Sequence, residues 1–419
     1  MHELMSIFDW LSGSMCAIII VILTVGIGIS FASAQTDLPD VGNFYQMLQD
    51  YADRSEMSLS YLSRDWPELE QWRIRGRAKM QELLAFEPVA TTLQPEILKQ
   101  NENEGYTKYL VRYSVTPNRK VEAYLLIPKG LTEPAPAVVA LHDHGGFYYF
   151  GKEKIVDTED KPEILQEFIN RSYGGRTYAD ELARRGFVVL CPDNFYFGSQ
   201  RINVDQVPEY FTKQYPALQS QDQNEYIRAF NSFSGAHEQY MAKYIFASGT
   251  TWPGIMFHGD RVAVDYLLTR PEVDPNRIGC MGLSIGGFRS AHLAALDPRI
   301  KVAVVAGWMT TYKMQLFNKL RWHTWMVYVP RQMTFLDVPD VVSLSAPNPL
   351  MVINCEQDQL YPLEAMQAAD RKLAAIYKKM QAEDRYQCNY YDVPHSLNVE
   401  MQDDAIAWLE KWLENERGD

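Results

Sequence analysis

The stretch Gly279-Cys280-Met281-Gly282-Leu283-Ser284-Ile285-Gly286-Gly287 limits what this chain can fold into more than any other. It holds a Gly-x-Ser-x-Gly core, Gly282 to Gly286, behind an apolar run and ahead of a helical pattern from Phe288 to Leu296. That order reads as strand, sharp turn, helix. A turn so tight forces the serine into a strained backbone conformation, and small residues on either side let strand and helix approach closely. The hydroxyl then stands exposed above a sheet, with the N-terminus of a helix beneath it. Backbone N–H groups there can stabilise a developing oxyanion. Gly and Ser also mark ordinary turns, so the pentapeptide alone fits a plain strand-to-helix connection. Its context says more. An acid candidate follows 74 residues later and a histidine 37 after that, each at the end of an apolar run.

The rest of the chain alternates in kind. Tyr109–Val115 and Val121–Ile127 read as a hairpin around Pro117-Asn118, and Ala137–Leu141 is a continuous apolar run of the kind found in buried parallel strands. Beyond it, strands are expected at 187–191, 278–281, 302–306, 350–355 and 388–393. Helices are expected at 176–185, 259–268, 288–296, 363–380 and 398–414. Such alternation predicts an α/β fold, a mainly parallel central sheet with helices on both faces. Residues 35–104 read as a polar N-terminal helical extension, with a helix capped by Asp65, Pro67 in its first turn, and an end near Phe86 before Pro88. Residues 105–419 then form the main domain. Two long lid-like insertions interrupt it, 195–257 with 14 aromatic residues and 307–347 with Trp308, Trp322 and Trp325. Long loops leaving strand ends tend to shape binding sites. The first insertion is expected to roof a pocket with a few aromatic faces, most of its rings forming a small core of their own.

Composition narrows the setting. The chain has 419 residues, 47% hydrophobic and 22% charged, which is globular and ample for a large core. A formal net charge of −13 without a basic cluster argues against nucleic acid as a partner. Residues 16–31 are almost wholly apolar and are followed by Ala32-Ser33-Ala34, a cleavable export signal over 1–34, although no Lys or Arg precedes it. Cleavage after Ala34 predicts a periplasmic or secreted protein. An uncleaved segment would make it membrane-anchored, and the run is slightly short for a span. Cys191, Cys280, Cys355 and Cys388 lie in or beside apolar runs and read as buried thiols.

Four groups carry candidate chemistry. Ser284 is the nucleophile candidate. Asp358, just past an apolar strand, can orient an imidazole; Glu356 is its rival, and either could instead cap the following helix. His395, in Val393-Pro394-His395, can take a serine proton and later protonate a leaving group, with Asp392 a possible competitor for its ring. His142-Asp143-His144-Gly145-Gly146 ends the strand at Leu141, and its glycines allow close backbone approach to a substrate carbonyl. Alternate histidines could also suggest a metal, but no complementary ligand cluster accompanies them. Asp193-Asn194 reads as a loop support.

The order His-x-His-Gly-Gly, Gly-Leu-Ser-Ile-Gly, Glu-Gln-Asp, Pro-His resembles α/β-hydrolases, and more narrowly the bacterial dienelactone-hydrolase-like and acetyl-xylan-esterase-like group. Gly151-Lys152-Glu153-Lys154 and the stretch from Phe335 through Leu350 also resemble that group, over roughly residues 65–415. The resemblance implies Ser284 as nucleophile, Asp358 as acid and His395 as base. It places oxyanion-binding N–H groups at Ile285 and near His144 and Gly145, and it requires no cofactor or metal. The expected activity is that of a serine carboxylic-ester hydrolase acting through an acyl-enzyme on a small-molecule or polysaccharide ester. Two departures stand out. Dienelactone hydrolases proper use a cysteine nucleophile, and glucuronoyl esterases carry arginine where this chain has Ile285. A peptidase of the prolyl-oligopeptidase type shares the catalytic domain, but no propeller-like repeat is present. A catalytically inactive binding protein on the same fold is the alternative from another class.

Overall fold

The computed structural model describes residues 38–414. The expected export segment, residues 1–34, therefore lies outside the described residues. Among the described residues no helix is long and apolar enough to cross a membrane.

Nine strands form one sheet: β1 (Glu96–Glu102), β2 (Tyr106–Thr116), β3 (Arg119–Pro128), β4 (Ala135–Leu141), β5 (Val188–Pro192), β6 (Val273–Leu283), β7 (Ile300–Ala306), β8 (Leu350–Cys355) and β9 (Tyr386–Tyr391). Their order is β1-β2-β3-β5-β4-β6-β7-β8-β9. The first three and β5 pair antiparallel; from β5 to β9 every pairing is parallel. Along residues 137–141, 188–191, 278–283, 302–306 and 350–353 the parallel strands are buried and apolar, because both faces are covered. On β4, Ala137, Val139 and Leu141 join the core under the helices Trp252–Leu267 and Leu363–Lys379. Val138 and Ala140 face the core under Glu163–Tyr173, Tyr178–Arg184 and Val399–Leu413. The period-2 alternation of strand side chains sorts them between the two layers.

The N-terminal segment departs from its helical reading. The helix starts at Leu69, with Glu68 extended at its N-cap, and ends at Leu84, where Ala85 turns left-handed. Asp65 is no cap: the Trp66 indole donates to Ser60 O, which folds 60–66 into turns before the helix begins. Trp72, Met80 and Leu84 dock against Leu296, Leu336, Leu344 and Ile376. Residues 96–102, read as part of the helical extension, form strand β1 instead. They pair with β2 through their backbone while every side chain but one is exposed, so no hydrophobic pattern announced them.

The first insertion also holds more order than its sequence suggested. It contains a 25-residue helix, Gln223–Ala247, capped by the Asp222 side chain, and the following helix begins at Trp252, ahead of the start expected at 259 and still within the insertion's bounds. A buried ion pair ties that second helix to the helix after Ser284. Arg289 donates from Nη2 to Asp260 Oδ1 at 2.6 Å and from Nε to Oδ2 at 3.0 Å. Burial raises the Asp260 pKa, and the Arg289 charge opposes that rise. Removing one partner leaves a buried charge unpaired. Asp260→Ala is expected to lower unfolding free energy by about 3–5 kcal/mol, read from the midpoint of urea denaturation.

Candidate active site

Strand β6 ends at Leu283 and the helix Ile285–Leu296 begins two residues later. Ser284 bridges them at φ 60° and ψ −118°, a region L-residues rarely occupy. Neighbouring strands impose the conformation. Ser284 N–H donates to Ala306 O of β7 at 2.8 Å, and Ser284 O accepts from Phe288 N–H at 2.9 Å. Gly282 and Gly286 are needed because a Cβ on either would lie 2.4 and 2.1 Å from Leu141 O. The serine thus sits beside the end of β4, where the loop 142–147 begins.

Asp358 follows β8 and is buried. Its Oδ2 lies 2.5 Å from His395 Nδ1, and its Oδ1 accepts from Leu360 N–H at 2.8 Å. Glu356 is exposed and Asp392 accepts from the Gln357 amide, so neither reaches the imidazole. The His395 ring packs on the backbone just past β7. A Cβ at Gly307 would stand 3.0 Å from His395 Cε1. Ser284, His395, His144, Gly145 and Ile285 all line one cavity of about 340 Å³. Burial pushes the His395 pKa down, but the hydrogen bond and charge of Asp358 outweigh it, and the net shift is upward from 6.5.

The loop after β4 rests on buried polar groups. His142 is committed to the backbone: Nδ1–H donates to Asp143 O at 2.9 Å, and Nε2 accepts from Asn194 N–H at 3.1 Å. Asp193 accepts from Lys152 Nζ at 2.8 Å and from Ser199 N–H at 2.7 Å, the supporting role its position suggested. His144 Nδ1 accepts from Gly146 N–H at 3.0 Å, so its proton sits on Nε2 and points to Glu238 Oε1 at 2.8 Å.

Glu238 is the site residue that sequence reasoning missed. It comes from the insertion helix, is 5% exposed, and lines the cavity wall. Oε1 also accepts from Tyr148 at 2.7 Å; Oε2 accepts from Thr324 Oγ1 at 2.8 Å and Trp325 N–H at 3.2 Å. Burial would raise its pKa, but the bonds from His144, Tyr148 and Thr324 hold it below the ordinary value. One carboxylate therefore fastens both insertions to the loop after β4. Nothing local in the helical sequence marks it out. The expectation of an aromatic roof from 195–257 needs correction. Its rings pack with one another, as Phe211 does with His237 and Tyr240 and Tyr215 with Phe233. The aromatic cavity wall comes from Trp308 and Trp322 of the second insertion, from Tyr361 and from Tyr148 after β4.

A mainly parallel sheet carrying a strained serine beside a histidine–carboxylate pair defines the α/β hydrolases. The dienelactone hydrolase family model matches residues 164–412, and an abhydrolase family model matches 29–207. The chain belongs to the dienelactone hydrolase family and is a carboxylic ester hydrolase. It is 26% identical over 342 residues to YtaP of Bacillus subtilis (strain 168), classed as a hydrolase, covering 81% of this chain and all of that one. The fold is similar to a Bacteroides fragilis NCTC 9343 protein (BF1801) assigned to the acetyl xylan esterases, with TM-score 0.64 and 17% identity over 85% of this chain and 84% of that one. It is also similar to the glucuronoyl esterase from Solibacter usitatus, with TM-score 0.55 and 13% identity over 85% and 96%.

Two outcomes are expected. Asp358→Asn should lower kcat on the order of 10⁴-fold, as in the serine-protease precedent, while Glu356→Gln stays near wild type; steady-state kinetics on an aryl acetate read the ranking. An imidazolium cannot accept the serine proton, so activity is lost as pH falls through the His395 pKa. The acid limb of kcat/KM should therefore have its midpoint above 6.5.

Proposed function

We propose that this chain is an exported serine esterase that works through an acyl-enzyme and removes an acyl group from a carbohydrate. The observation that carries the reading is strained Ser284 sharing one cavity with His395, whose Nδ1 sits 2.5 Å from buried Asp358. Ser284 Oγ attacks the ester carbonyl carbon while His395 Nε2 takes the hydroxyl proton. Asp358 holds the Nδ1–H tautomer and stabilises the imidazolium. The tetrahedral oxyanion is bound by Ile285 N–H and by N–H groups of His144 and Gly145. Its collapse breaks the bond to the alcohol oxygen, which receives the proton from His395. Water then gives a proton to His395 and attacks the acyl carbon, which releases the acid and restores the Ser284 hydroxyl.

Several features support a neutral sugar ester. Among the described residues, no Lys or Arg lines the cavity and the Glu238 carboxylate does, which disfavours a substrate bearing a free acid. Trp322, 61% exposed at the cavity wall, offers a ring face for apolar stacking. Ile285 stands where glucuronoyl esterases carry arginine, which favours an O-acyl group over a uronate ester. The acetyl xylan esterase assignment of the Bacteroides fragilis protein points the same way. Export rests on the apolar run 16–31 and Ala32-Ser33-Ala34.

A panel of acetylated xylan, methyl-esterified uronates, aryl acetates and dipeptide amides tests the reading. Acetylated xylan and aryl acetate should be turned over, and Ser284→Ala should abolish both without lowering Tm. Trp322→Ala should raise KM for acetylated xylo-oligosaccharide about 2- to 10-fold, from the ~0.5–1.5 kcal/mol of an aromatic stack. Wild-type turnover by Ser284→Ala, or cleavage of the amides alone, would sink this assignment.

A further inference from the structure

Lys154 belongs to the Gly151-Lys152-Glu153-Lys154 stretch, and its side chain is completely buried beneath the loop after β4. Its Nζ donates to two successive carbonyls, Asp143 O at 2.8 Å and His144 O at 3.0 Å, and lies 3.9 Å from Asp143 Oδ1. Both peptide units are trans. In a trans peptide the C=O and the N–H of the next residue point in opposite directions. The carbonyl of Asp143 shares its plane with His144 N–H, and the carbonyl of His144 shares its plane with Gly145 N–H. An ammonium that draws both carbonyls down therefore turns both N–H groups up.

The hydrogen bonds of the loop agree with that orientation. Asp143 N–H donates to Tyr173 Oη at 3.3 Å, Gly146 N–H to His144 Nδ1 at 3.0 Å and Phe147 N–H to His144 O at 3.0 Å. Among the described residues the N–H groups of His144 and Gly145 take no partner, and both residues line the cavity that holds Ser284. His144 is half-buried and Gly145 exposed, so both N–H groups open onto the cavity beside Ser284, where a ligand oxygen can accept from them.

We infer that Lys154 is the positioning residue of the oxyanion site, holding the Asp143 and His144 carbonyls so that the next two N–H groups face the substrate carbonyl oxygen. The inference rests on the serine-esterase reading. Lys154 touches neither substrate nor Ser284, and it acts through the backbone alone. Burial moves its pKa down to about 8, against the pull of the Asp143 charge. Tyr173 Oη donates to Asp143 Oδ1 at 2.7 Å and keeps that carboxylate beside it.

The test is Lys154→Met, which keeps the length of the side chain and removes its donors. Losing one oxyanion donor costs roughly 100- to 1000-fold in kcat. The variant should therefore lose at least 100-fold in kcat on an aryl acetate, with KM within about threefold of wild type. Phosphonylation of Ser284 by a fluorophosphonate, whose P=O occupies the same site, should slow in parallel. A merely structural lysine would lower Tm without dividing kcat from KM. Lys154→Gln is the second variant. Its amide is shorter, reaches at most one of the two carbonyls, and should lose at least tenfold in kcat. If the Met variant does not fold, the Gln variant decides alone. Wild-type kcat in either folded variant overturns the role of Lys154 while leaving the esterase reading intact. A wild-type protein that neither turns over an aryl acetate nor reacts with the fluorophosphonate overturns both.

Discussion

The backbone at Ser284 is the constraint on which the rest of the site depends. Its φ of 60° is held by a hydrogen bond to β7 on one side and by the first turn of the following helix on the other. The same turn presses Gly286 against Leu141 O, at the end of β4. Three neighbouring strands are thereby locked at their C-terminal ends. β6 delivers Ser284, the proposed nucleophile, β4 the loop whose N–H groups are proposed to face it, and β7 the Gly307 backbone on which the His395 ring rests. Strain of this kind persists only where surrounding structure over-determines it. Here the buried Asp260–Arg289 pair supplies part of that surrounding structure by tying the helix after Ser284 to its neighbour.

Buried charge does two separate tasks around the cavity. Below the loop after β4, Lys154 and Asp143 form a buried network that sets backbone direction. Above it, Glu238 gathers four donors from two chain segments, the loop after β4 and the second insertion. A glutamine could not satisfy them, because its amide nitrogen would meet donors. Such groups are costly to bury unless bonded, and each here is bonded to the segments it holds together. The two arrangements explain how a cavity wall assembled from distant insertions keeps a defined shape.

The insertions divide their work differently from their aromatic content. The first is richer in rings, yet its rings pack among themselves and it reaches the cavity through Glu238. The second provides Trp308, Trp322, His323 and Thr324. Aromatic count reports how much surface a segment can bury and says nothing about which side it is buried on.

Much of the architecture was legible from local pattern. The apolar runs within β4 to β8 and the helices between them follow from sequence pattern, because the part of each strand buried on both faces is mostly apolar. Ser284, Asp358 and His395 stood out as positions because each ends an apolar run. β1 escaped notice, since an edge strand with exposed side chains is held by backbone pairing that leaves no trace in residue type. Residue type alone left Asp358 and Glu356 as rivals, and the family resemblance favoured Asp358. Two residues apart on one loop, they differ only in the direction that loop takes past β8, which brings Asp358 to His395 and leaves Glu356 in solvent. Glu238 and Lys154 belong to the same class. Their partners lie 94 and 10 residues away along the chain, and both bond to His144. The sequence by itself determined the strand–turn–helix at Ser284 and the alternation around it, because those depend on neighbours in the chain. Which charges support the cavity was decided only by tertiary structure, because a buried charge is defined by partners that packing alone brings together.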